Sequence, residues 1–378
     1  MNICFITPSF LPHMGGGEII AYDIGRKLIE KGNNIVLVTF NFGEWKPYEE
    51  VDGIKIFRVH YKKGKIGFIV SQIRVFFKIV QLNRKYNFEI LHQFFVFQVG
   101  FATLASKLLL KKPLVTSLVG WDTYDPYNPV SKMFNPYLAL VMNYSDVITS
   151  PSHDLANHAK EQGCERGIEI IPHCIEINKF NLKNEGNTVR RKLGIKSGEI
   201  IVLSVQRLDP RKKLEYLIKA IPNVIKSNQN VRFVIVGKGS EMEKLLNLVS
   251  EVGVEKYVQF VGFVNDEELP AYYNAADIFV LHSSYEAFGI VLIEAMICEL
   301  PVISTNVGAI PEVVDDKITG LIVPPKKPKE LANAILELAN SKELREKMGK
   351  EGKERAIRKY DLGIIIAKYL NIYESLRR

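Results

Sequence analysis

Two glutamates, Glu286 and Glu294, stand eight positions apart in "SSYEAFGIVLIEAMICE", Ser283–Glu299, among Phe288, Ile290, Val291, Leu292, Ile293 and Met296. Carboxylates in so apolar a run either ride on an ordinary amphipathic helix or line a pocket. Were the whole interval helical, the two would stand ~12 Å apart along the axis. That is about the reach from a sugar ring, across a diphosphate, to a ribose. The intervening Ala287-Phe288-Gly289 offers backbone N–H groups to the same ligand.

A second cluster supplies the opposite charge. "SVQRLDPRKKLEYL" puts Arg207 just past an apolar run, Asp209-Pro210 in a turn, and Arg211, Lys212 and Lys213 at an expected helix start. Cations there oppose the helix macrodipole, so something anionic is expected nearby. A diphosphate held by a guanidinium and an ammonium would account for the cluster; so would a solvated charged turn. A third candidate is "HMGGGE", where Gly15, Gly16 and Gly17 precede a helical pattern and let backbone N–H groups approach a phosphate. Neither this run nor "VGKGSEM" at Val236–Met242 matches the GxGxxG dinucleotide fingerprint, and a tight strand-to-helix turn explains both equally well.

These residues need elements to position them. "NICFITPSF", "NIVLVTF", "FEILHQF", "PLVTSLVG" and "DVITSPS" read as buried strands separated by helical patterns such as Glu18–Lys31, which stops at Gly32. After a polar interval at Asn178–Gly198 the pattern restarts with "EIIVLSVQR", "VRFVIVGKG", "VQFVGFV", "DIFVLHSS", "LPVISTN" and "GLIVPP". Two successive α/β units with parallel sheets are expected, 1–180 and 181–361, facing each other across a ligand cleft. A last helix, Leu362–Leu376, is expected to return to the first.

Bulk properties bound the reading. The 378 residues carry 47% apolar and 24% charged residues and a net charge of +8, ordinary for a globular protein of two or three domains. Cys4, Cys164, Cys174 and Cys298 show no CxxC or His/Cys metal spacing, so a reducing cytoplasm is expected. "MNICFITPSF" reads as a strand rather than a signal peptide, and no apolar run reaches the ~20 residues that span a bilayer. Charge is uneven: nine Lys or Arg and no acid lie between Gly53 and Phe88. The 55–85 stretch reads either as a core-facing helix with a solvated basic face or as a peripheral contact for a membrane or an anionic acceptor. Nucleic acid is not expected, since no recognition motif accompanies the patch.

Tyr285–Glu294, continued by "AMICELPVISTNVGAIPEVV" and "TGLIVPP", resembles the retaining glycosyltransferases of the GT-B fold, family four (group 1). The resemblance runs from "GGGE" through "PLVTSLVGWD", "IIPHCIEINKF", "SVQRLDPRKK", "FVIVGKGSE" and "FVGFVNDEELPAYYNAADIFVLHSS" to "LANAILELANSKELREKMGKEG". It implies a hexosyl group moved from a UDP-, GDP- or ADP-sugar to a sugar or lipid-linked acceptor, with retention and without a required metal or other cofactor. Residue by residue, it implies that Gly16 and Gly17 approach the donor phosphates and that Arg207 and Lys212 hold the diphosphate. Glu286 would meet the donor-sugar hydroxyls, with Ala287, Phe288, Gly289 and Ile290 along the sugar and phosphate. Glu294 would take the ribose, and Gly262 and Phe263 would lie near the base. Trp121 and Asp122 fall on the acceptor side.

The chain departs from the pattern at Val119, where many relatives carry a His, at His173–Glu176, "HCIE", where they usually read "NGVD", at Cys298-Glu299, where they read "CG", and at Lys213, where a Gly usually follows the lysine. Two other readings stay open: a nucleotide-sugar epimerase or phosphorylase of the same architecture, and a sugar-nucleotide-binding protein without turnover.

Overall fold

The computed structural model describes residues 1–12, 15–43, 45–120, 133–180 and 185–377. They form two units, Met1–Cys174 with Leu362–Arg378, and Ile175–Asp361. The first crossing thus comes earlier than the expected 180. Ile175 and Phe180 are buried in the second unit's core, and the Ile175 N–H bonds to the Tyr360 carbonyl at 2.9 Å.

In the first unit the chain runs β1 (Asn2–Ile6), α1 (Gly16–Glu30), β2 (Asn34–Asn41), β3 (Tyr48–Val51), β4 (Ile54–His60) and α2 (Lys65–Tyr86). It continues with β5 (Ile90–Phe94), α3 (Gly100–Leu110), β6 (Leu114–Ser117), α4 (Asn135–Asn143), β7 (Val147–Ser150), α5 (His153–Glu161) and β8 (Ile168–Ile170). The sheet order is β3-β4-β2-β1-β5-β6-β7-β8, parallel except for the β3–β4 hairpin. The hairpin turns at Asp52 and Gly53, both at positive φ (47° and 80°), the geometry a tight hairpin selects. β1 lies between β2 and β5, so the chain reverses its winding direction there, and helix α1 opens directly after that switch point.

α2 is long and apolar enough to cross a bilayer by length and composition, unlike anything expected from uninterrupted apolar runs. It packs instead on β2, β4 and α3 through Gly67, Ser71, Gln72, Val75, Ile79 and Leu82.

In the second unit come α6 (Gly186–Lys192), β9 (Ile200–Val205), α7 (Glu215–Ser227), β10 (Val231–Val236), α8 (Met242–Glu251), β11 (Val258–Gly262) and α9 (Leu269–Ala275). Then follow β12 (Ile278–Leu281), α10 (Ile290–Ile297), β13 (Val302–Thr305), α11 (Ile310–Val313), β14 (Gly320–Val323), α12 (Pro328–Asn340) and α13 (Lys342–Tyr360). All strands are parallel in the order β11-β10-β9-β12-β13-β14. Ile201, Leu203 and Phe279 enter one apolar cluster while Val202, Ile278 and Val280 enter another. Alternate side chains thus face opposite layers, which is why these strands are apolar at every position.

The last helix, α14 (Leu362–Leu376), belongs to the first unit and packs on α1. Its Tyr373 hydroxyl meets His92 Nδ1 at 2.6 Å, and its Tyr369 hydroxyl lies 3.2 Å from Ser117 Oγ. Leu362, Ile365, Ile366 and Ile372 are buried around them, each contributing about 1.5–3 kcal/mol by leaving water.

Candidate active site

In an open parallel sheet, ligands bind beyond the carboxyl ends of the strands where the winding direction reverses. In the second unit that point lies between β9 and β12, whose register pairs Val202 with Ile278 and Leu203 with Phe279. The loop after β9 carries Arg207 and Lys212; the loop after β12 carries Ser283 to Gly289. Backbone ties join them: Ser284 N and Oγ both donate to the Arg211 carbonyl, at 3.2 and 2.7 Å.

At this junction Lys212 Nζ lies 2.5 Å from Glu286 Oε1, and Ser283 Oγ donates to the same oxygen at 2.7 Å. The Glu286 side chain is 10% exposed and that of Lys212 20%. So poorly hydrated a carboxylate needs its cation, and the pair presents one ammonium and one acid to whatever binds beside it. The Glu286 backbone is fixed from the next loop. Ala309 N–H donates to its carbonyl at 2.9 Å, and a Cβ on Gly308 (φ 52°) would lie 2.2 Å from that oxygen. Thr305 Oγ1 holds the Ser283 carbonyl at 2.8 Å.

Residues 286–289 do not continue the helix. Gly289 caps α10 in the left-handed region, φ 87°, so the helix begins at Ile290 with Glu294 about a turn inside, as a turn carrying Glu286 followed by a helix requires, and the all-helical spacing of the two glutamates does not apply. Ile290 opens α10 half-buried. Ala287 and Phe288 are buried, with the Phe288 ring edge-on to Tyr360 at 5.7 Å. Glu294 lies within α10 and accepts from the Tyr273 hydroxyl at 2.6 Å. Burial first, then the Glu294 charge, raises the Tyr273 pKa well above its ordinary value, keeping it a donor.

Arg207 is placed differently. Its side chain is 84% exposed, with Asp209 Oδ2 at 3.7 Å from Nε. Arg211, Lys212 and Lys213 also fall before the helix rather than on its first turn, since α7 starts at Glu215, and Lys213 Nζ lies 3.8 Å from the Glu215 carboxylate. Glu215, an acid in the first turn, offsets the cations that stand before the helix. Gly262 ends β11 at φ 84°, its carbonyl accepting from Gly237 N–H at 2.7 Å. Phe263 beyond it is 66% exposed, and Lys238 Nζ sits 4.9 Å from its ring centre. The "GKG" glycines have a packing reason: a Cβ would come within 1.9 Å of the Gln206 carbonyl at Gly237 and 2.2 Å of the Leu208 carbonyl at Gly239.

In the first unit Gly16 and Gly17 occupy the first turn of α1, two residues earlier than the helix start read from the sequence. Glu18 Oε2 accepts from Gly15 N–H at 3.0 Å, and Ser9 Oγ bonds to its other oxygen. Gly17 is tightly approached: a Cβ there would meet Val119 Cγ1 at 2.4 Å and Phe95 Cζ at 2.5 Å. His173 is buried, its pKa lowered to about 4 by desolvation against a hydrogen bond with the Val119 backbone. Two of the departures from the family pattern, Val119 and His173, therefore touch. Trp121 and Asp122 lie outside the described residues. Among the described residues no group of three His, Cys, Asp or Glu is placed to hold a metal.

The description "Glycosyl transferases group 1" matches residues 186–355, and "Glycosyltransferase Family 4" matches 14–179. The chain belongs to the family 4, group 1 glycosyltransferases. This glycosyltransferase is 28% identical over 393 residues to an uncharacterized glycosyltransferase of Methanocaldococcus jannaschii, covering 99% of this chain and 98% of that one. It is 24% identical to the N-acetyl-alpha-D-glucosaminyl L-malate synthase of Bacillus anthracis, over 97% of this chain and 96% of the other. It is 25% identical to the GPI3 subunit of phosphatidylinositol N-acetylglucosaminyltransferase of Saccharomyces cerevisiae, over 84% of this chain and 71% of that one. Among solved structures it resembles the sucrose-phosphate synthase of Thermosynechococcus elongatus, TM-score 0.86 and 22% identity, covering 99% and 98% of the two chains. Anabaena HepE in complex with UDP superposes at TM-score 0.82 and 21% identity, covering 99% and 100%. The fold is GT-B.

Several residues of the glycosyltransferase's site carried no individual signal in the sequence. Ser283 stood out only as a small residue in a turn, and Gly308 only as part of a longer matched run. Tyr273 sat in an apolar helix pattern with nothing to mark its hydroxyl. Each was detectable only as a contact between segments far apart in the chain.

Proposed function

We propose that this glycosyltransferase moves a hexosyl group from a nucleotide-diphosphate sugar to a sugar or lipid-linked acceptor, with retention of anomeric configuration and without a required divalent metal. The observation that carries the reading is the partly buried Lys212–Glu286 pair beside Ser283 at the switch point of the second sheet.

In transfer, the bond between the anomeric carbon and the β-phosphate oxygen breaks and a bond from that carbon to the acceptor oxygen forms. The acceptor proton passes to the departing phosphate on the same face. Lys212, with Arg207 swinging in from solvent, would neutralise the negative charge that grows on the leaving diphosphate. Glu286 would accept hydrogen bonds from donor-sugar hydroxyls rather than attack carbon. The N–H groups of Phe288 and Gly289 would line the sugar and phosphate. Glu294 would bind the ribose, held in orientation by Tyr273, and Gly262 and Phe263 would flank the base.

The relatives' names support the donor and acceptor classes: one solved relative is a UDP complex, and one curated relative acts on phosphatidylinositol. A cytoplasmic enzyme working at the membrane surface fits such an acceptor. A thermal-shift panel of UDP, GDP and ADP and their common sugars tests the donor. A ligand well above its dissociation constant raises stability by a few kcal/mol. Stabilisation by one diphosphate and its sugar, followed by glycoside formation with an acceptor, is expected. A panel with no stabilising nucleotide overturns the reading.

A further inference from the structure

Helix α2 has a second face that the sheet does not use. At about 100° per residue, Ile66, Ile69, Ile73 and Phe77 fall on one side, opposite the buried Val75, Ile79 and Leu82. They are 77%, 58%, 46% and 63% exposed. α3, which packs beside α2, leaves Phe101, Leu108 and Leu109 58–59% exposed as well. A soluble surface rarely leaves so many large apolar side chains on neighbouring helices in water without a partner.

Cations flank the apolar stripe. Arg74 and Lys78 lie along one side of it, and Lys62, Lys63 and Lys65 precede its first turn. Beside Phe77 opens a pocket of about 360 Å³ lined by Arg58, Val59, Arg74, Phe77, Lys78 and Gln81. Arg58 is 5% exposed and held by Glu49, by the Leu11 carbonyl at 2.7 Å and by the Lys46 carbonyl at 3.1 Å, while its Nε has no hydrogen-bond partner. With three cations and one carboxylate nearby, the pocket has room and charge for a phosphate.

We propose that this face of α2 docks on an anionic lipid bilayer. Ile66, Ile69, Ile73 and Phe77 enter the acyl boundary, and the Arg58–Arg74–Lys78 pocket takes a headgroup phosphate. Apolar insertion combined with basic flanks is how an interfacial helix holds a surface without spanning it. The charge decides between occupants: a second copy of this chain would bring the same positive face against itself. The inference deepens the membrane-surface part of the proposed function, but uses none of its chemistry.

The test is flotation of the whole protein with vesicles of phosphatidylcholine alone or with 30% phosphatidylglycerol, in the absence of donor and acceptor. Binding to the anionic vesicles only is expected, weakening as salt rises. Arg74→Gln with Lys78→Gln should weaken it on the order of thirtyfold, from about 1 kcal/mol per surface cation. Ile73→Ser with Phe77→Ser, both on the exposed face, should weaken it at least tenfold while thermal unfolding stays unchanged. Equal binding to neutral vesicles, no binding to either, or binding indifferent to both double variants overturns the proposal. So does a wild-type dimer that Phe77→Ser dissociates, which assigns the face to a second copy. Because no donor is present, failure here leaves the transfer reaction standing, and a failed transfer assay leaves this result standing.

Discussion

Lys212 and Glu286, 74 positions apart, are brought to 2.5 Å by two loops that leave adjacent strands of one sheet. Each neutralises the other in the free protein. A donor that binds there meets a cation and a carboxylate already oriented, so little reorganisation remains for the transition state.

Removing either partner should therefore damage catalysis more than folding. Lys212→Ala and Glu286→Ala are each expected to lower kcat on the order of 10²–10³. Steady-state kinetics beside circular dichroism checks this; near-wild-type turnover in both folded variants would detach the pair from the chemistry. Lys212→Ala should also cost about 1–3 kcal/mol of stability, since among the described residues the Glu286 carboxylate then keeps its Ser283 donor alone.

Gly308→Ala tests whether the backbone under Glu286 matters. The added methyl would have to sit 2.2 Å from the Glu286 carbonyl at a φ of 52°, a combination expected to cost about 1–3 kcal/mol. Denaturant melts should show that loss together with a fall in kcat, although residue 308 has no side chain to contribute. Unchanged kinetics would mean the loop absorbs the methyl without moving Glu286.

Tyr273→Phe deletes one hydroxyl, the donor to Glu294 at 2.6 Å. Leaving that carboxylate one bond short should cost about 1–3 kcal/mol. If Glu294 holds the ribose, calorimetry should also show weaker nucleotide binding, with KM for the donor moving more than kcat. A stability loss with unaltered nucleotide affinity would make Glu294 purely structural.

Stability should fall in mild acid. Burial lowers the His92 pKa from 6.5 to about 3, so between those values the unfolded chain binds a proton that the native protein refuses. The contribution is fully present above pH 6.5 and drains away as the pH falls towards 3. From His92 alone, about 2 kcal/mol should be gone at pH 5. Urea titrations at pH 7 and pH 5 measure it, and His92→Gln should flatten the difference by that amount while starting lower.

How far the chain could be read in advance depended on whether a feature was local. Strands such as Asn34–Asn41 and Ile200–Val205 announced themselves because both their faces are buried, and Leu362–Leu376 because its apolar residues recur at helical spacing. The unit boundary was misplaced because Ile175 and Phe180 stand beside a polar interval that looks like a linker, while their side chains enter the second core. The hairpin at Asp52-Gly53 was passed over although its turn residues were in plain view. At the site, Glu286 and Lys212 were selected individually, but their contact is a matter of strand order, which no spacing encodes. The helix entered at Ile290, with Glu294 about a turn inside it, was legible from its apolar run; the left-handed backbone of Gly289 that caps it was not.

The return of α14 to the first unit has a consequence for biosynthesis. A ribosome makes Leu362–Leu376 only after the whole of Ile175–Asp361 has been synthesised, so His92 and Ser117 wait through that synthesis without Tyr373 and Tyr369. The half that is translated first is thus the last to be sealed, and a nascent chain stalled before residue 362 would expose that seam to chaperones and proteases.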